Sequence, residues 1–265
     1  KKLEEKYGLR QVLVVDGSDD KDTLESALGS SAARYLQYVI KDDSIVGVSM
    51  GSTLHHMVSA LQKAPAERVT YVPLVGGMGR LRMELHANSL AEKMSRLGDG
   101  TFIPLHAPAR VSSTLVRDEL MKEESVQDAV KLMNRIDVAL VGIGYPNEHS
   151  AIKATGYYKE NEIESLISRK AAGELCMQFY DLPQKVQYVY AFKFGPHTQS
   201  PLSGTGGVIC LASCSGRSDF RRSRTEGFSS GKVSGASSRI SSWVWPSVRS
   251  GFTGGSLFSL PSSIL

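Results

Sequence analysis

The sequence predicts an α/β fold, a mostly parallel sheet with helices on both faces. Short apolar runs rich in Val and Ile alternate with longer segments of helical spacing. The runs are continuously apolar rather than alternating, as expected of strands buried on both faces. The three central runs also end in glycines, where parallel strands present their carboxyl ends to a ligand.

The run 11–17, with Val12, Leu13, Val14 and Val15, reads as a strand closing in a turn at Asp16-Gly17. Residues 19–23 cap an amphipathic helix that aligns Leu24, Leu28, Ala32, Tyr35, Leu36, Val39 and Ile40. Ile45-Val46-Gly47-Val48 is the next strand. It breaks at Ser49-Met50-Gly51, and Ser52-Thr53 open a helix through Leu54, Met57, Val58 and Leu61. The run 68–75 is a third strand, leading into Gly76-Gly77-Met78-Gly79. A helix over 84–97, a short strand over 101–104 and helices over 113–121 and 125–134 follow. The strand 136–144 then ends in Gly142-Ile143-Gly144. Beyond it, 160–168 reads as a helix and 187–192 as a strand.

Composition narrows the function. Of 31 basic and 27 acidic residues, seven and two fall in 200–265, leaving the first 199 residues with 24 and 25. The body is near neutral and carries no nucleic-acid footprint. Cys176, Cys210 and Cys214 form neither a disulfide framework nor a metal-ligand pattern, which suits a reducing cytosol and predicts no zinc site. The opening Lys1-Lys2-Leu3-Glu4-Glu5-Lys6 lacks the apolar core of a signal peptide, and no apolar run is long enough for a bilayer span. No membrane and no cofactor are expected.

The segment 45–58 is the focus of the chain. A helix start has backbone N–H groups without intrahelical partners and the positive end of the helix dipole, so it attracts anions. Gly51, Ser52 and Thr53 are therefore candidates for holding a phosphate. An ordinary capped turn is the alternative, because Ser and Thr are also good N-caps. With Gly76, Gly77, Gly142 and Gly144 at neighbouring strand ends, glycine would let a ligand approach the backbone in one crevice.

With these motifs in place, residues 1–195 resemble the effector-binding domain of the SorC family of bacterial sugar-responsive transcriptional regulators. The matching stretches are Leu3-Glu4-Glu5-Lys6-Tyr7-Gly8-Leu9, Asp43 through Leu54, Val72-Pro73-Leu74-Val75-Gly76-Gly77 and Asn88-Ser89-Leu90-Ala91-Glu92-Lys93. They continue with Leu105-His106-Ala107-Pro108-Ala109, Ile136 through Gly144, and Ala172-Gly173-Glu174-Leu175-Cys176. The resemblance implies a fold like the phosphosugar isomerases and glucosamine-phosphate deaminases, and binding of a phosphorylated sugar or sugar alcohol without turnover. It places the phosphate at Gly51, Ser52 and Thr53, and sets Glu174 facing sugar hydroxyls. A surface acid at a helix start is the plainer reading of Glu174. A homo-oligomer in the cytoplasm is implied as well.

The rival is an enzyme on the same sheet, which would need a placed acid or base. Asp137, Glu174, His106 and His149 are the candidates, and His55 or His56 could face the ligand. No pair of carboxylates and no Lys–Asp arrangement stands out, so a sensor is expected rather than an enzyme.

Three departures from the family qualify the resemblance. Val75 stands where members that bind a second phosphate or form a Schiff base have Arg or Lys, and Arg80 or Arg82 are the available substitutes. The family's helix-turn-helix does not precede the domain, so DNA contact would need a module outside this sequence. Finally, 196–265 holds 19 Ser and 10 Gly from Ser200 onward, with Arg221-Arg222-Ser223-Arg224, in place of the family's closing units. That tail is expected to be disordered and to read as an out-of-frame product, leaving an unpaired sheet edge.

Overall fold

The computed structural model describes residues 4–5, 9–79, 82–144, 158–169, 171–181, 186–187, 207–213 and 240–245. In chain order the strands are β1 (Leu13–Asp16), β2 (Ile45–Val48), β3 (Thr70–Pro73), β4 (Thr101–Phe102), β5 (Val138–Gly144), β6 (Ala171–Leu175), β7 (Gln178–Asp181), β8 (Val186–Gln187), β9 (Gly207–Ser213) and β10 (Ile240–Trp245). The helices are α1 (Lys21–Val39), α2 (Ser52–Ala60), α3 (Ala87–Ser95), α4 (Thr114–Leu120), α5 (Glu124–Met133) and α6 (Glu160–Ser168).

One sheet runs β1-β10-β9-β5-β2-β3-β4, with β6, β7 and β8 branching from β5. The pairs β9–β5, β5–β2, β2–β3 and β3–β4 are parallel. The branch, and the edge made by β10 and β1, are antiparallel.

Side chains of the central strands alternate between two cores. Val46, Val48, Tyr71, Val138 and Leu140 pack with α1, α2 and α3 on one face. Val72, Leu74, Ala139 and Val141 pack with Val126, Ala129, Val130 and Met133 of α5 on the other. The continuously apolar strands thus have the two covered faces their composition predicts.

α1 begins at the side chain of Asp20, which accepts from the Thr23 N–H at 2.7 Å. It crosses α2 at Gly29, where a Cβ would lie 2.5 Å from the Met57 nitrogen and 2.6 Å from the His56 carbonyl carbon. Glycine sets how closely the two helices approach, and so how α2 is seated.

Several boundaries differ from the sequence pattern. The helix expected over 84–97 splits into a 3-10 turn, Met83–Leu85, which follows the left-handed Arg82 at φ 40°, and α3, because His86 is extended between the two. The stretch around Glu174, with a surface helix-start acid as its plainer reading, is strand β6 of a hairpin with β7. Of the strand expected at 187–192, Gln187 lies in β8 and 188–192 lie outside the described residues. Within 196–265, where no strand is expected, the apolar run Val208-Ile209-Cys210-Leu211 lies in β9 and pairs with β5 over Val138–Ile143. The outer edge of β5 is therefore covered rather than left open, and Ile240–Trp245 joins β9 to β1.

Candidate functional site

The three glycine-bearing strand ends do meet. β2 lies between β5 and β3, all three parallel, so Gly51, Gly76 and Gly142 sit at adjacent carboxyl ends. The chain proceeds from β2 to β3 and β4 on one side, while β5 and β9 lie on the other. The β2/β5 boundary is a topological switch point, where the two outgoing connections separate and open a crevice.

At that boundary the turn after β2 has an unusual cap. Gly51 itself is the N-cap of α2, with φ 125° and ψ 166°, a region essentially confined to glycine. Ser52 and Thr53 are the first residues of the helix, not its cap. The Gly51 carbonyl accepts the first helical bond, from the His55 N–H at 2.9 Å. A glycine cap offers no side-chain acceptor to the N–H groups of the first turn. A Cβ placed on Gly51 would meet nothing within 4 Å, so the space in front of it is open.

The 3-10 turn forms a wall beside this opening. The Leu85 carbonyl accepts from the Gly51 N–H at 3.1 Å, and the Glu84 carbonyl lies 3.2 Å from Nδ1 of His55. His56 turns the other way and meets Asp22 at 3.2 Å. Both histidines are thereby tied to neighbouring segments.

Gly76 and Gly144 have structural reasons to be glycine. A Cβ on Gly76 would sit 2.4 Å from the Ala107 carbonyl oxygen, against the loop that pairs with Gly77. A Cβ on Gly144 would sit 2.8 Å from Oε2 of Glu174. Gly142 pairs with Leu211 of β9. Gly144 and Glu174, both candidates from sequence, are register partners across β5 and β6, and the carboxylate occupies the room that Gly144 leaves.

Glu174 is the most perturbed acid among the described residues. Burial pushes its carboxyl up to about 7, against a partial offset from the Met177 N–H, which donates to Oε1. The β6–β7 turn that presents this N–H contains Cys176 at φ 49° and Met177 at φ 62°. Two successive non-glycine residues in left-handed backbone are strained and persist only where the surroundings hold them. Here the Cys176 thiol donates to Ser49 Oγ at 3.4 Å, and Met177 is buried. Burial also pushes the Cys176 thiol up to about 12, which keeps it protonated.

The other candidates scatter. Asp137 lies at the opposite, amino-terminal end of the sheet, where its Oδ2 accepts from the Ile45 N–H at 2.8 Å. His106 is exposed, and Arg82 pairs with Glu84 at 2.9 Å on the surface. His149, Arg80 and the cluster Arg221-Arg222-Ser223-Arg224 lie outside the described residues. Val75 is buried in a satellite core with Met78, Ala109, Tyr158 and Phe179. Among the described residues no group of His, Cys, Asp and Glu is arranged to hold a metal, and no helix is long and apolar enough to cross a membrane.

Sequence reasoning missed two structural supports of the site. Asn88 forms a reciprocal pair with the Leu105 backbone, donating at 3.3 Å and accepting at 3.0 Å, and so fixes α3 to the chain after β4. Arg110 and Glu162 pair at 2.6 Å, although 52 residues separate them. A polar Asn among the apolar positions of a helix was a signal for the first; nothing local signalled the second.

An open α/β sheet with a glycine-capped helix and an enclosed acid beside its switch point has the layout of a small-ligand-binding domain. Residues 1–189 match the family model described as "Putative sugar-binding domain", and the chain belongs to that family. It is 29% identical over 184 residues to the sorbitol operon regulator of Klebsiella pneumoniae, covering 68% of this chain and 58% of that one. It is 26% identical over 185 residues to the deoxyribonucleoside regulator of Bacillus subtilis, covering 68% and 57%. The crystal structure of the full-length sorbitol operon regulator SorC from Klebsiella pneumoniae superposes with a TM-score of 0.67 at 27% identity, over 79% of this chain and 68% of that one. The chain spans a little over half the length of the curated relatives it matches.

Proposed function

We propose that this domain senses a phosphorylated sugar or sugar alcohol and serves a bacterial transcriptional regulator of the SorC family. The observation that carries this is the α2 start. Gly51 caps the helix without a side chain and the space at its own Cβ position is open, which supports a phosphate held by the first-turn N–H groups and the hydroxyls of Ser52 and Thr53. Glu174 serves the hydroxyl end, accepting or donating according to its protonation state. Gly76, Gly77, Gly142 and Gly144 make up the floor at the strand ends.

Val75 supports a single phosphate. The position holds a buried apolar side chain that can neither pair with a second phosphate nor form a Schiff base. Bound effector would shift a homo-oligomer's affinity for DNA through a helix-turn-helix module, in the cytoplasm, by binding one conformation more tightly than another. Among the described residues no second acid or base is paired with Glu174 as acid–base turnover would require, which supports the sensor reading.

The test is thermal unfolding against phosphorylated sugars, sugar alcohol phosphates and their unphosphorylated counterparts. Ligand at about 100 times its Kd adds roughly 2.7 kcal/mol, on the order of 5–10 °C for a chain of this size. The expected result is a shift with a monophosphate, none with the bare sugar, and unchanged ligand recovered afterwards. Equal shifts from both forms, or a chemical product, would overturn the proposal.

A further inference from the structure

Arg110 lies in the loop after β4, next to the Gly77–Pro108 bridge, and reaches away from its own strand. Its two terminal nitrogens contact both Glu162 oxygens of α6, at 2.6 Å and 3.3 Å. The guanidinium carbon also stands 5.3 Å from the ring centroid of Tyr158. A planar guanidinium can pair in its plane and stack on its face at once, which an ammonium cannot.

Tyr158 carries the connection onward. It is buried, its ring meets Phe179 of β7 edge to face at 5.5 Å, and its hydroxyl reaches the Met177 carbonyl at 3.5 Å. Met177 is the residue whose N–H donates to Glu174. On the other side of the same turn, Cys176 is fixed to Ser49, just before Gly51. The strained pair Cys176-Met177 is therefore held between the α2 turn and an Arg110–Glu162–Tyr158 clasp.

We infer that Arg110 is a positioning residue: through Glu162 and Tyr158 it clamps the β6–β7 turn, and so fixes where the Glu174 carboxyl stands at the mouth of the site. Its functional meaning rests on the reading of Glu174 as the sugar-facing group. The clamp explains how two non-glycine residues stay in left-handed backbone. It also explains why an otherwise ordinary ion pair spans the loop after β4 and α6 beside the site. Among the described residues, the titratable groups coupled to Glu174 are the Tyr158 hydroxyl and the Cys176 thiol, both held neutral by burial.

The test follows the titration of Glu174 by carboxyl carbon NMR in the unliganded full chain, assigned by comparison with Glu174→Gln. In Arg110→Gln the turn loosens, water reaches the carboxyl, and its midpoint falls by roughly one pH unit or more towards the ordinary glutamate range. The sign discriminates, because simple removal of a nearby cation would move a carboxyl up instead. Tyr158→Phe, which removes only the hydroxyl, gives a smaller fall, and Arg110→Lys recovers part of the wild-type midpoint by restoring the charge opposite Glu162. A folded Arg110→Gln whose Glu174 midpoint is unchanged or raised would overturn the assignment. If that variant does not fold, an unchanged midpoint in Tyr158→Phe does so. No ligand enters this measurement, so a failure of sugar-phosphate binding and a failure of the clamp give separate results.

Discussion

Two turns border the crevice, and they are built on opposite principles. The turn after β2 is open: a glycine cap, two hydroxyl residues adjacent in sequence, and, beyond its chain neighbours, no atom within 4 Å of where a Gly51 side chain would begin. The turn between β6 and β7 is enclosed: two non-glycine residues at φ 49° and 62°, and an acid pushed up to about 7 by burial. The first works with backbone dipoles that any helix start possesses. The second works with a side chain whose properties depend on distant parts of the chain. An anion can be held by local structure, whereas an acid with a shifted proton affinity requires tertiary enclosure.

The largest expected effect breaks the open turn from behind. Gly29→Ala puts a Cβ 2.5 Å from the backbone nitrogen of Met57, and backbone cannot turn aside as a side-chain tip can. α1 and α2 must separate, and α2 carries Ser52 and Thr53. A loss of about 3 kcal/mol or more is expected, at the upper end of overpacking costs. Urea unfolding checks it; a change below about 1 kcal/mol would mean that α2 is not seated by this crossing.

The enclosed turn is next, and pH separates it from the open one. A carboxyl raised in the folded state binds protons more tightly there than in the unfolded chain. Below the unfolded value of 4.5 both states hold the proton. As the pH rises from 4.5 to about 7 the folded state retains a proton that the unfolded state has released, so stability falls, by about 3 kcal/mol. Above about 7 this contribution is constant. Other acids titrate too, so the measured quantity is the difference between the wild type and Glu174→Gln in urea unfolding from pH 4 to 8. A pH-independent difference would show that Glu174 is hydrated and that the enclosure is absent.

Gly51→Ala tests the open turn without a clash. Its backbone angles are the sole obstacle, since the added methyl meets no neighbour. The expected loss is about 1–3 kcal/mol, the typical strain of a non-glycine residue in such a region. A neutral result would require α2 to be capped in some other conformation.

How much of this was legible in the sequence follows the same division. The β2 turn could be read because it depends on residues near one another in sequence. The meeting of Gly51, Gly76 and Gly142 followed from the rule that parallel strands share one carboxyl edge, although β2 and β5 are far apart in the chain. Glu174 was recognised from its motif, but its strand, its shifted acidity and its contact with Gly144 were not, since they arise from pairing between β5 and β6. The reason for Gly76 was likewise hidden in the loop at Ala107 and Pro108. The strand in 207–213 escaped notice because four apolar residues stood in a Ser- and Gly-rich background, and their partners, the edge of β5 and the strand β10, lie far away in sequence.

The smallest stability effect is the most informative about function. Ser52→Ala and Thr53→Ala each remove a hydroxyl from the first turn of α2, at half-buried positions. Because Gly51 is the cap, neither hydroxyl is needed to start the helix, and changes within about 0.5 kcal/mol are expected. A phosphate would feel the loss differently. A hydrogen bond to a charged group contributes about 1.5–3 kcal/mol, so affinity for a responding sugar phosphate should fall at least about tenfold, with no change for the bare sugar. Calorimetric titration of both variants measures this directly. Stability lost without any change in affinity would make the pair structural after all, and would move the anion site away from the β2 turn.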